Sequence, residues 1–191
     1  MDKVALTFDD GPNEPYTSRI LDILSGYLVK SVFFVCGRNV EFHPELSRRI
    51  VQEGHLLGNH THSHSRFLTT TGLALWETLK AAEVIQRITG VIPEYFRPPY
   101  GAPNPLFWWV LKRKGYRVVL WDVDGRDWER PSAPELAQRI VSKVKPNSVI
   151  LLHDGHNVCH GDDRSPTVEA LPLIIEGLRD RGYVFVRLDE L

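Results

Sequence analysis

Cysteine is scarce in this sequence, with Cys36 and Cys159 the only two in 191 residues. Two cysteines make no disulfide framework and do not fix the redox compartment. Charge of one sign is also lacking. The formal net charge is -1, which offers no electrostatic handle for nucleic acid or anionic lipid. No window reaches 18 uninterrupted apolar residues, so no transmembrane helix is expected. No Ser- or Pro-rich linker and no low-complexity tract breaks the chain, and its length buries about 70% of the unfolded surface. One domain over residues 1–191 is the simplest reading. No secretory leader is expected in this form of the chain, since MDKVALTF runs almost at once into a strand. The sequence therefore reads as a cytoplasmic protein, or as a leader-trimmed secreted or envelope domain with an added Met1.

What is present is an alternation of short apolar strands and amphipathic helices. Val4, Ala5, Leu6 and Phe8 mark the first strand. Residues 16–28 then put Ile20, Leu21, Ile23, Leu24, Tyr27 and Leu28 on one helical stripe. Residues 31–36 form a nearly continuous apolar run, as a strand covered on both faces requires. Pro44 opens a helix that Gly54 ends, and a short strand over 55–59 runs into a histidine cluster. Later helices are expected over 73–89, 104–114, 132–144 and 167–181, the third with a capping box of Ser132 and Glu135. Later strands are expected over 94–97, 117–124, 148–153 and 183–188.

Seven β/α repeats with short connections imply a parallel sheet with right-handed crossovers. Asp9, Asp10, His60, Arg97, Asp127 and His153 all fall at C-terminal ends of strands, and five different strands contribute them. In a barrel those ends converge on one mouth; in an open doubly wound sheet they spread along an edge. The expected fold class is α/β, a distorted (β/α)7 barrel of parallel strands, closed or incomplete.

The stretch LTFDDGP ends the first strand in two adjacent carboxylates. Two close anions repel each other unless a cation sits beside them, although a DDGP turn can equally use one carboxylate as a loop cap. His60-Thr61-His62-Ser63-His64 supplies the complement. Histidines at i and i+4 can chelate one metal if the segment turns, and a carboxylate completes a two-His, one-Asp set with positions open to water. A solvated polar loop is the plain alternative, and His62, with the opposite phase, reads as a bystander. Arg97 in FRPPYG is placed to lie against a carboxylate at the mouth. Asp127-Trp128 and His153-Asp154 each have an ordinary structural reading, as a core aromatic and a satisfied histidine.

Taken in order, TFDDGP, HTHSH, RPPYG, DGRDW and LLHD resemble the motifs of carbohydrate esterase family 4, the polysaccharide deacetylases, over roughly residues 3–188. Gly125 is a departure, since relatives often carry Ser there. The resemblance implies a metal-dependent hydrolase of carbon–nitrogen bonds other than peptide bonds. Its expected reaction is removal of acetyl groups from N-acetylglucosamine in chitin-like oligomers or peptidoglycan, by attack of a metal-bound water. It implies Asp10, His60 and His64 as ligands of one divalent ion, Zn foremost, with Co, Ni, Mn or Fe as alternatives. Asp9 would be the general base, held by Arg97. Tyr100 would give a backbone N–H to the oxyanion. Asp127 would pair with His153, the general acid, while Trp128 and Leu151 would wall the acetyl methyl.

General chemistry agrees with those implied roles. Zn²⁺ lowers the pKa of a bound water to about 7. Asp9 near a cation and Arg97 should stay ionised, and His153 beside Asp127 should keep its proton to higher pH. The expected partner is an acetylated oligo- or polysaccharide, with no nucleic acid and no membrane span. O-deacetylation of acetylxylan, hydrolysis of a small amide or imide, and a non-catalytic sugar-binding module are the other readings. The last would predict loss of Asp9 or His153. Phe107-Trp108-Trp109 reads as core packing rather than a sugar platform. The loop over 155–164, with His156, His160, Asp162 and Asp163, follows the sixth strand at the mouth, where it would meet substrate.

Overall fold

The structure, a computed structural model, describes residues 1–71, 73–102, 104–155 and 163–191. Its strands are β1 (Asp2–Asp9), β2 (Val32–Val35), β3 (Leu56–Asn59), β4 (Tyr95–Phe96), β5 (Arg117–Val118), β6 (Val123–Asp124), β7 (Ser148–His153) and β8 (Tyr183–Phe185). The helices are α1 (Tyr16–Gly26), α2 (Gly37–Phe42), α3 (Pro44–Gln52), α4 (Arg66–Thr70), α5 (Ala74–Thr89), α6 (Pro105–Arg113), α7 (Ala133–Val141) and α8 (Ser165–Asp180). The sheet order is β5-β4-β3-β2-β1-β7-β6, with every pairing parallel and β8 added along the first half of β1. The sheet curls into an incomplete barrel, as expected from the sequence.

The period of two along β1 divides the core. Val4, Leu6 and Phe8 join a cluster with Ile20, Leu21, Leu24, Leu171 and Ile175 from α1 and α8, on the helix-covered face. Thr7 and Asp9 face the other way, into the curl. A smaller apolar cluster of Val32, Phe34 and Tyr95 lies apart from the first. Glycine at position 58 is required by that packing. A Cβ there would stand 2.3 Å from Phe34 Cδ1, and Phe34 in turn lies 4.1 Å from the Arg97 guanidinium.

The principal correction concerns the strand expected over 117–124. It is two strands, β5 and β6, which sit at opposite ends of the sheet. Residues 119–122 span the gap because their polar groups are engaged elsewhere. Val119 and Leu120 offer their carbonyls to Arg97 at 3.3 Å each, and the Asp122 side chain accepts from Val149 N and Ser148 Oγ at 2.6 Å. The Ser132 capping box does not form either; Ser132 makes no cap bond, and Glu135 pairs with Arg139 at 2.7 Å. Asn104 does cap α6, accepting from Phe107 N at 3.0 Å. In that helix Phe107 packs edge-on against Phe96, whereas Trp109 is 55% exposed beneath Arg113, so the expected core packing holds for only part of the triplet. The short helices α2 and α4 lack the long apolar stripe that sequence periodicity needs.

Gly58→Ala should force the Phe34 ring to move and destabilise the fold by about 1–3 kcal/mol, read as a lower denaturant midpoint. An unchanged midpoint would show that the ring has room this packing denies it.

Candidate active site

Register brings the chemistry to one level. Asp9, the last residue of β1, pairs with His153 on one side and with Phe34 on the other. Asn59 pairs with Phe96, so His60 and Arg97 follow at the same rim. A cavity of about 430 Å³ opens there, lined by Asp9, Asp10, His60, His64, Tyr100, Trp121, Asp124, Trp128, Leu151, His153 and Arg164. Arg97 and Asp127, fully buried, stand behind it and reach it through Asp9 and His153.

The turn after β1 swings Asp10 toward the histidines, with φ at 77°. Asp10 Oδ1 lies 3.2 Å from His64 Nε2 and 3.5 Å from His60 Nε2. It is buried and has no hydrogen-bond partner among the described residues. Atoms each about 2.1 Å from one ion at tetrahedral or octahedral angles stand roughly 3.0–3.4 Å apart, so this oxygen and these two nitrogens fit a small divalent cation. His60 Nδ1 lies 2.7 Å from the Arg97 carbonyl, which can only accept. That bond fixes the tautomer and turns the Nε2 lone pair into the cluster. Burial works against ionisation of Asp10, yet His64 and His60 beside it hold its carboxyl well below the usual range. His62 is not part of the cluster; its ring packs over Gly37.

Asp9 also borders the cluster. Its Oδ1 takes a 2.7 Å bond from Arg97 Nη1, which leaves Oδ2 toward the cavity, 3.7 Å from His60 Nε2. Asp127 supports His153 in two ways and is itself held by Thr167. Oδ1 lies 2.7 Å from His153 Nδ1, while Oδ2 accepts from His153 N at 2.8 Å and Thr167 Oγ1 at 2.7 Å. Burial disfavours the imidazolium, but the Asp127 carboxylate outweighs it, with Asp10 and Asp9 adding to the effect, and His153 is raised to about 9.

The rim is apolar and aromatic. Trp128 and Tyr100 are about half exposed, Leu151 on β7 is buried, and Tyr100 takes a left-handed φ of 60°, its ring tilted against that of His64. Asp9, Asp10, His60, His64, Tyr100, Trp128, Leu151 and His153 thus lie in the cavity, with Arg97 and Asp127 directly behind it. Trp121, Asp124 and Arg164 were missed. The first two sit on the stretch read as one regular strand, and Arg164 gave no signal beyond its place before a helix. Its Nε donates to the Gly155 carbonyl at 2.9 Å. His156, His160 and Asp162 lie outside the described residues, while Asp163 accepts from Ser165 N and Tyr16 Oη. Gly125, the departure from the family pattern, has Leu136 Cδ1 2.7 Å and Ile140 Cδ1 2.9 Å from where a Cβ would stand, so a larger residue needs those side chains to shift.

Comparison with known proteins places this geometry. The family model described as polysaccharide deacetylase matches residues 1–119. A peptidoglycan-N-acetylglucosamine deacetylase of Bacillus cereus is 36% identical over 190 residues, covering 98% of this chain and 87% of that protein. A chitooligosaccharide deacetylase of Rhizobium leguminosarum bv. trifolii is 36% identical, covering 94% and 87%. Among solved structures, the Bc1960 peptidoglycan N-acetylglucosamine deacetylase in complex with a naphthalenyl N-oxidanyl-benzamide superposes with a TM-score of 0.93 at 36% identity, covering 98% of this chain and 86% of that one. BA3943 of Bacillus anthracis, a pseudoenzyme of carbohydrate esterase family 4, superposes with a TM-score of 0.90 at 29% identity, covering 100% and 65%. The chain belongs to the polysaccharide deacetylases of carbohydrate esterase family 4, metal-dependent hydrolases.

Proposed function

We propose that residues 1–191 act as one catalytic domain that removes the acetyl group from N-acetylglucosamine units of chitin-like oligomers or peptidoglycan. The observation that carries this reading is the placement of a proton acceptor and a proton donor side by side on one cavity. Asp9 presents an acceptor oxygen, and His153 presents a ring held protonated by Asp127. A fold shared with a pseudoenzyme decides nothing by itself, so the reading rests on these side chains.

Asp10, His60 and His64 would hold the divalent ion, and their two nitrogens and one oxygen suit Zn²⁺. Such an ion supplies Lewis acidity and lowers the pKa of water to about 7. Asp9 Oδ2 is the proton acceptor for the attacking water, since Oδ1 is committed to Arg97. Arg97 fixes that carboxylate's direction. As water oxygen adds to the acetyl carbon, the Tyr100 backbone N–H faces the developing oxyanion. His153 Nδ1 is committed to Asp127, so Nε2 gives its proton to the departing amine as the carbon–nitrogen bond breaks. Trp128 and Leu151, which line the cavity, would wall the acetyl methyl.

Acetate release from N-acetylated chitooligosaccharides or peptidoglycan, lost on adding a chelator, is the expected activity; an acetylxylan in the same panel reads any ester preference. Asp9→Asn and His153→Ala should each lower kcat by about 10²–10⁴-fold with the metal content unchanged. Near-normal turnover in either variant removes its assigned role. The pH dependence follows in sign. His153 is in its acid form below about 9 and loses it above, so by NMR its ring in the metal-free protein should titrate near 9. Asp127→Asn removes the largest of the charges that raise His153 but not the burial, and should bring that titration down from about 9.

A further inference from the structure

Glu77 is a buried acid that the reaction scheme leaves unused. It stands in the first turn of α5, 1% exposed, where a carboxylate is costly unless its oxygens are bonded. Its Oε2 accepts twice from one residue, from the Ser63 backbone N–H and the Ser63 hydroxyl, each at 2.7 Å. Ser63 directly precedes His64 in the segment that carries both metal-facing histidines.

That segment needs holding. Thr61 and His64 adopt φ of 68° and 53°, a region that residues with a Cβ disfavour. Other bonds secure its beginning. Thr61 N donates to Asn59 Oδ1 at 2.9 Å, and the Thr61 and His62 carbonyls accept from Gly37 N and Arg38 N at 3.0 Å. His64 N reaches back to Thr61 Oγ1 at 3.2 Å, within the segment itself. The tie from Ser63 to α5 runs through Glu77.

We propose that Glu77 is a positioning residue for the metal arm: by gripping Ser63 from α5, it aims His64 Nε2 at Asp10 Oδ1 and so sets the affinity for the ion. The inference rests on the proposed function only in taking Asp10, His60 and His64 as metal ligands. Partners that orient a metal ligand from behind change affinity by about 10–100-fold when lost.

Calorimetric titration of Zn²⁺ into purified Glu77→Gln, Glu77→Asp and Glu77→Ala tests it, alongside amide hydrogen exchange at Ser63 and His64 in the metal-free proteins. Glu77→Gln keeps an oxygen that can accept both bonds and should bind Zn²⁺ close to wild type. Glu77→Asp keeps the charge but falls one methylene short, and it should lose about 10–100-fold in affinity together with protection at Ser63. Glu77→Ala should resemble Glu77→Asp; where it fails to fold, the Gln and Asp variants decide the matter. Wild-type affinity and protection in Glu77→Asp overturn the proposal, and so does a loss in Glu77→Gln that Glu77→Asp does not share, because charge rather than position would then be acting. A wild-type protein that binds Zn²⁺ with these dependences but releases no acetate would overturn the proposed function and leave this inference standing.

Discussion

The buried pair of Arg97 and Asp9 is the interaction on which the rest of the structure depends. Arg97 is among the largest fully buried side chains in the molecule. Its Nη1 donates to Asp9 Oδ1 and Thr7 Oγ1 at 2.7 Å, and its other nitrogens reach the carbonyls of Val119 and Leu120. One guanidinium therefore joins the central strand, the β4 end and the segment that crosses between the two edges of the sheet. Removing either partner of such a pair strands a buried charge, at about 3–5 kcal/mol. The same contact fixes the direction of Asp9, so closure of the sheet and placement of the base are one event.

Two other carboxylates at the mouth show how environment divides labour among identical side chains. Asp127 is surrounded by donors and is lowered, its burial outweighed by His153 and Thr167. Asp154 is equally buried but has fewer compensations. It accepts from Gly11 N and Thr17 Oγ1, and burial together with the Asp10 charge pushes it up to about 7. Its place is beneath the Asp10 turn, which it holds through Gly11.

Much of this was legible in the sequence, for identifiable reasons. The alternation of apolar strands and striped helices gave the parallel sheet, because burial on both faces leaves a compositional mark on residues 32–35 and 148–153. The site residues were legible because catalysis needs unusual side chains at strand ends, and the resemblance of the five motifs sharpened their roles. The seam was hidden. Residues 117–124 have the composition of a strand, and nothing local reveals that Arg97, twenty residues earlier in the chain, takes the carbonyls a ladder would use. Trp121 and Asp124 were overlooked for the same reason. Glu77 was invisible because one acid on an amphipathic helix looks like a solvated one until the fold buries it.

Four residues around the cavity, Asp10, Thr61, His64 and Tyr100, hold positive φ without being glycine. Each stores strain on the order of 1 kcal/mol, kept in place by the surrounding sheet and helices. The mouth is thus a sprung region on a relaxed frame. Damage to distant packing will let it slacken before the frame gives way, so the protein loses its working geometry while its secondary structure is still intact.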